Sequence, residues 1–78
     1  MSYKLVTGFY PSEETAKKIV NKVKGNCKTV KYERYEDGYT VVLAESEDYE
    51  EIDSLFSLYM KRKIYCGILP VKVNEWQR

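Results

Sequence analysis

The side chains that most often perform catalysis or bind metals are scarce in this sequence. It has no histidine, which excludes Ser-His-Asp triads, Cys-His pairs and every metal site that depends on an imidazole. Its two cysteines, Cys27 and Cys66, lie far apart and belong to no CxxC motif. They therefore indicate neither a redox pair nor a metal site.

Neighbouring carboxylates do occur, but their spacing does not suit acid–base catalysis. Glu13-Glu14 and Glu50-Glu51 are consecutive residues of predicted helices, and consecutive helical side chains point in different directions. The four glycines are isolated from one another, so no glycine-rich loop could hold a phosphate. The sequence thus predicts no catalytic residue, no metal and no cofactor, and we expect a protein that is not an enzyme.

The length and composition predict one small domain. The chain has 78 residues, of which 44% are hydrophobic and 32% are charged, which suits a single domain spanning residues 1–78. The longest apolar run, Val41–Ala44, is far shorter than the roughly 18 residues that a membrane span needs. No segment resembles a signal peptide. We expect a cytoplasmic protein with no membrane contact, and a viral or prophage accessory protein fits the same description.

The charged residues are grouped along the chain although the net charge is only +1. Residues 15–35 are mainly basic and residues 36–53 are mainly acidic, a pattern that could indicate a nucleic-acid footprint or a docking surface. The positions favour a structural explanation. Carboxylates begin both predicted helices and basic residues end them, as the helix dipole favours.

Two amphipathic helices are predicted from capping residues and apolar spacing. Ser12 is the predicted N-cap of the first helix, and Gly25 stops it. Asp48 and Glu51 predict a capping box at the start of the second helix, which ends at Lys61-Arg62-Lys63.

Four strand-like segments surround these helices: Tyr3–Phe9, Thr29–Tyr35, Tyr39–Ala44 and Ile64–Val73. The Asp-Gly turn in Glu36-Asp37-Gly38 predicts a hairpin. The order β-α-β-β-α-β predicts an α+β, ferredoxin-like fold, in which a four-stranded antiparallel sheet with strand order 4-1-3-2 carries two helices on one face.

This strand order makes two further predictions. Pro70 cannot donate a hydrogen bond to a ladder, which suits the edge position of the last strand. Cys27 and Cys66 would lie at opposite edges of the sheet, too far apart for a disulfide, so both are predicted to be free thiols.

Parts of the chain resemble two families that share this fold. Lys4–Ala16 resembles the opening of SPOR domains, in which a strand ending in Gly-Ser-Phe leads into Ser-x-Glu-x-Ala and a helix, and Gly38–Val42 with Ser46–Ile52 resembles their second repeat. That resemblance implies binding of peptidoglycan glycans outside the cytoplasmic membrane. Asp37–Ala44 is similar to the third-strand signature of RNA-recognition motifs, where Gly38, Tyr39 and Val42 match. This second resemblance implies nucleic-acid binding.

Strand alternation assigns side chains to the two faces of the sheet, with the parity open to a slip of one residue. We call the face away from the helices the outer face. The residues predicted to point toward the helices are Tyr3, Leu5, Phe9, Val30, Tyr32, Tyr39, Val41, Leu43, Leu69, Val71 and Val73. Those predicted on the outer face are Lys4, Val6, Lys31, Glu33, Tyr35, Thr40, Val42, Ala44, Ile68 and Lys72.

The outer face is the best candidate for a functional surface, because its predicted centre is apolar and its rim is charged. We expect a small non-enzymatic interaction module that binds a protein partner, or a second copy of itself, through this face. Nucleic-acid binding by a degenerate RNA-recognition-like sheet is a less favoured alternative, as is SPOR-like glycan binding if the protein is exported. The expected partner-binding residues are Lys4, Val6, Lys31, Tyr35, Val42, Ala44, Ile68 and Lys72.

Overall fold

The computed structural model describes residues 2–25 and 30–71. It contains two helices and four strands in the predicted order β-α-β-β-α-β. The strands are β1 (Ser2–Tyr10), β2 (Lys31–Tyr35), β3 (Gly38–Ser46) and β4 (Gly67–Val71). The helices are α1 (Glu13–Val23) and α2 (Tyr49–Lys61). Neither helix is long and apolar enough to cross a bilayer, within the residues that the structure describes.

The strands form one antiparallel sheet in the order β2-β3-β1-β4. This is the predicted order 4-1-3-2 read from the opposite edge, and it confirms the α+β, ferredoxin-like arrangement. β4 is an edge strand, as Pro70 predicted. It begins at Gly67 rather than at the predicted Ile64, because the Ile64 N–H donates to the Tyr59 carbonyl in the turn that follows α2.

Both helix N-termini are capped by side chains, but the second cap differs from the prediction. The Ser12 hydroxyl accepts from the Thr15 N–H at 3.2 Å, as expected. At α2, Asp48 accepts from the Glu50 N–H at 3.0 Å, whereas Glu51 accepts from the Ser46 hydroxyl at 2.6 Å. That hydroxyl in turn accepts from the Asp48 N–H, so Ser46 takes the role that Glu51 has in a reciprocal capping box.

The main core lies between the sheet and the helices. α1 packs mainly on β3 and β2, and α2 packs on β1, β3 and β4. The buried side chains of this core are Leu5, Ala16, Val41, Leu43, Ile52, Tyr59 and Ile64.

Two irregularities in the pairing of β1 with β3 change the alternation of side chains. β3 has an extra residue at Leu43, between the pairs Leu5–Ala44 and Val6–Val42. β1 has an extra residue within Thr7–Gly8, between the pairs Val6–Val42 and Phe9–Thr40. Each β-bulge reverses the face on which the following residues of its strand lie.

Because of the first bulge and the register of β4, two residues predicted on the outer face lie on the helix side of the sheet instead. Leu5, which is fully buried under the helices, pairs with Ala44 on one side and with Ile68 on the other. Both partners pack against the main core, so the prediction that they lie on the outer face was wrong.

Three residues predicted to face the helices lie on the outer face instead. Phe9 moves there because of the bulge in β1 and is paired with Thr40. Leu69 and Val71 are paired with Lys4 and Ser2, and the β4 register therefore places them on the outer face. The predictions for Cys27, Thr29, Lys72 and Val73 concern residues outside the described parts of the chain.

The β2–β3 hairpin is present, but its loop is one residue earlier than the Asp-Gly motif suggested. Tyr35 pairs with Gly38, which leaves Glu36 and Asp37 as the loop. Glu36 has φ of 53°, a conformation that glycine or asparagine adopts more easily than glutamate. Gly38 is needed within β3 itself, because a Cβ there would collide with the Tyr10 carbonyl oxygen.

Two substitutions in this hairpin should change the free energy of unfolding in opposite directions. One introduces a glycine and the other replaces one. Glu36→Gly should raise the free energy of unfolding by about 1 kcal/mol or less, because it relieves the positive φ at some cost in unfolded-state entropy. Gly38→Ala should lower it by about 1–3 kcal/mol, because the new methyl group meets backbone atoms. Urea unfolding measures both, and a destabilised Glu36→Gly variant would contradict the assignment of the loop.

Candidate functional site

A lysine lies at the centre of the outer face and is paired across the sheet. Lys4 on β1 donates to Glu33 Oε1 on β2 with an Nζ–Oε1 distance of 2.6 Å. Because β3 lies between these strands, the Lys4 side chain must cross β3, and the register takes it over Val42. Lys4 is only 4% exposed.

A second lysine extends this pair into a chain of charges. Lys31 Nζ lies 3.0 Å from Glu33 Oε2 and 3.0 Å from Glu45 Oε1. The four side chains Lys4, Glu33, Lys31 and Glu45 therefore alternate in charge, and we call them the ion-pair chain. Lys31 and Glu45 are both about half exposed, so the chain runs from the buried Lys4 to solvent.

The pKa values of Glu33 and Lys31 reflect these contacts. Burial by itself would raise the pKa of Glu33, but hydrogen bonds and charge from Lys4 and Lys31 outweigh it and hold that pKa below its ordinary value. The hydrogen bonds of Lys31 to Glu45 and then to Glu33 raise the pKa of the lysine. The charged forms of Glu33 and Lys31 are therefore stabilised by neighbouring groups of opposite charge.

The apolar centre of the outer face is not exposed. Val6 is 5% and Val42 is 2% accessible, and Val71 is also buried. The face is therefore not a bare apolar surface, contrary to the expectation from the alternation pattern. Lys4, Val6 and Val42 do lie on this face, and their part in partner binding stays a prediction.

Exposed apolar surface occurs instead at one end of the outer face, where two aromatic rings meet. The Phe9 and Tyr35 ring centroids are 5.1 Å apart, with a 34° angle between the ring planes. They come together across β3 because the residue paired with Tyr35 is Gly38, which has no side chain to separate them. Phe9 remains 56% exposed.

Acidic residues lie next to these rings. An open concavity of about 680 Å³ is lined by Phe9, Pro11 and Tyr35 together with Glu36 and Asp37 of the hairpin loop. We call these five residues the aromatic patch. An exposed ring beside two loop carboxylates can contact an apolar group and a neighbouring cation at the same time.

The aromatic patch contains one residue of the predicted site, Tyr35, and one residue that was predicted to face the helices, Phe9. Lys31 lies at the opposite part of the face, in the ion-pair chain. The signal that could have located Phe9 is Gly8, because an isolated glycine in a strand often indicates a bulge.

Comparison with known proteins gives no match: no family model fits the sequence, and no curated protein and no solved structure is significantly similar to it. The resemblances to SPOR domains and RNA-recognition motifs thus receive no support from a relative, and the arrangement of strands and helices is what the structure establishes. Within the described residues, no three cysteine or carboxylate side chains come together as a metal site.

The ion-pair chain predicts how stability depends on pH. The pKa of Glu33 is lower in the folded state than the value of about 4.3 for an unfolded glutamate, so its contribution is present above that value. It is lost as pH falls through the folded pKa. Between about pH 5 and pH 3, the free energy of unfolding should fall less steeply for Glu33→Gln than for the parent protein.

Urea unfolding at a series of pH values measures this slope. Glu47→Gln, which removes an exposed carboxylate outside the ion-pair chain, is the matched control and should follow the parent curve. Parallel curves for Glu33→Gln and the parent would contradict the role of Glu33.

Proposed function

We propose that this chain is a small, non-enzymatic interaction module of the cytoplasm that binds a protein partner through the aromatic patch. The observation that carries the proposal is the exposure of Phe9 next to the ring of Tyr35. Aromatic side chains in such positions supply a large share of the binding energy at protein interfaces.

The patch is held in place by backbone and ring contacts, which favours binding. Tyr35 and Gly38 close the hairpin as a cross-strand pair, and the Phe9 ring packs against Tyr35. Thr40, which is paired with Phe9, is fully buried and donates through its hydroxyl to the Gly8 carbonyl at 2.6 Å. A side chain ordered before binding loses less entropy on complex formation.

The charges of the patch favour one chemical class of partner. Glu36 and Asp37 lie at its edge, and both are exposed. A protein segment with an apolar or aromatic anchor and an adjacent lysine or arginine would pair with the rings and with these carboxylates. The ion-pair chain on the neighbouring part of the outer face suits the polar rim of such an interface.

The same charges disfavour two of the alternative occupants, a second copy of the chain and a nucleic acid. A two-fold dimer through the patch would bring the Glu36 and Asp37 side chains of both copies together, and like charges oppose association. A single-stranded nucleic acid could stack a base on Phe9, but its phosphates would meet the same carboxylates.

A peptide-display selection against the immobilised protein tests the proposal. Selected peptides should combine an apolar or aromatic residue with nearby basic residues. Phe9→Ala should weaken their binding at least about tenfold, as expected for an interface anchor, when affinity is measured by calorimetry or fluorescence anisotropy. Because Phe9 is largely exposed, the variant should keep the parent's urea-unfolding midpoint closely.

Tyr65→Ala is the matched control, because Tyr65 is an exposed aromatic residue away from the patch. It should bind the selected peptides as the parent does. Equal loss in both variants would contradict the proposed surface, as would selected peptides without basic residues. Salt-sensitive binding of single-stranded RNA that is lost in Phe9→Ala would favour the nucleic-acid alternative. Sedimentation equilibrium that shows a dimer for the parent and a monomer for Phe9→Ala would favour self-association.

A further inference from the structure

A second concave surface lies on the helix side of the sheet and has the opposite charge. It is bounded by α1 and by the segment that follows α2, and it measures about 300 Å³. Lys22 of α1 and Arg62 and Lys63 after α2 line it, and none of the described lining residues carries a carboxylate. We call it the basic groove.

The backbone at Lys63 is the most informative feature of the groove. The Ile64 N–H donates to the Tyr59 carbonyl at 2.9 Å, and the Lys63 N–H donates to the Met60 carbonyl at 3.0 Å. These two bonds form a Schellman motif, whose C′ position is usually glycine because it needs a positive φ. Lys63 has φ of 64° there, so a cation occupies a position where glycine would be less strained.

Two hydroxyl groups lie at the floor of the groove. Thr7 Oγ1 and Tyr10 Oη are 2.8 Å apart and hydrogen-bonded to each other. Each hydroxyl has one proton, and one of the two protons is used in this bond. The other remains able to donate to an oxygen of a bound molecule. A donor on the floor and cations on both walls form an arrangement complementary to an anion.

Apolar side chains complete the walls of the groove. Ile19 and Val23 of α1 lie on one side, and Ile64 and the exposed ring of Tyr65 lie on the other. The volume is at the lower end of the range of about 300–1,000 Å³ that is typical of small-molecule pockets. The groove therefore offers room for an apolar or flat group next to the charged end of a ligand.

We propose that the basic groove binds the phosphate group of a small molecule, with Lys22, Arg62 and Lys63 supplying the charge and the Thr7–Tyr10 pair supplying a hydroxyl donor. The ligand is either free phosphate or a phosphate monoester with a flat body such as a nucleotide. This site differs from the aromatic patch in its charge and in its charged residues, although Tyr10 lines both concavities.

An NMR titration of backbone amides tests the proposal with three probes: inorganic phosphate, adenosine monophosphate and adenosine. The two phosphate-bearing probes should produce saturable shifts at Lys22 and at residues 62–65, whereas adenosine should not. A much tighter affinity for adenosine monophosphate would identify the monoester as the ligand class. Equal affinity for both would identify free phosphate.

Lys63→Gly is the decisive variant, because glycine suits the C′ position and the protein should be at least as stable as the parent in urea. It should weaken phosphate binding about fivefold or more, since it removes one charged contact. Lys18→Ala removes the same charge from the exposed surface of α1 outside the groove and should change the affinity by less than about twofold.

Three results would overturn the proposal. The first is a Lys63→Gly variant with the affinity of the parent. The second is an equal loss in Lys63→Gly and Lys18→Ala, which would indicate general attraction to a basic surface. The third is the absence of saturable shifts at the groove with both phosphate-bearing probes.

Discussion

The pairing of β1 with β3 at the centre of the sheet is the constraint on which the rest of the structure depends. Both strands are flanked on each side by another strand, so their register determines where β2 and β4 present their side chains. The two bulges in this pairing decide that Leu43 and Ala44 both serve the main core and that Phe9 leaves it. The second bulge thereby sets the side of the sheet on which Phe9 and Tyr10 lie, one in the aromatic patch and one at the basic groove.

No helix of the described residues packs over the outer face, yet the apolar side chains at its centre are buried. Val6, Val42 and Val71 would present apolar surface to water if the side chains around them were short. The Lys4 side chain reaches from β1 past β3 to Glu33 on β2, which neutralises its charge. The alkyl stem of a lysine can cover apolar atoms while its ammonium group pairs with Glu33. An apolar side chain of the same length could cover the same atoms but could not pair with this carboxylate.

The sequence predicted the order of elements, the strand order, the edge position of β4 and the Ser12 cap, because these depend on local periodicity, capping residues and connection rules. It did not predict the faces of Phe9, Ala44 and Ile68, because a bulge or a slip of one residue moves a side chain across the sheet while changing the local pattern very little. The burial of Lys4 could not be predicted from the local sequence, because its partner Glu33 is distant in sequence and their pairing depends on the strand order. Two tyrosines illustrate both cases: Tyr39 packs against the core as predicted, and Tyr10, one residue beyond the predicted first strand, also packs there.

Phe9 and Tyr10 are consecutive residues that serve opposite sides of the sheet. Phe9 belongs to the aromatic patch, and the Tyr10 hydroxyl forms the floor of the basic groove with Thr7. The extra residue within Thr7–Gly8 determines the face of the sheet on which each of the two rings lies. A descendant of this sequence that lost one residue there, and paired in the regular register, would exchange the two rings. The length of β1 therefore matters as much as its composition, because a single deletion would alter both surfaces together.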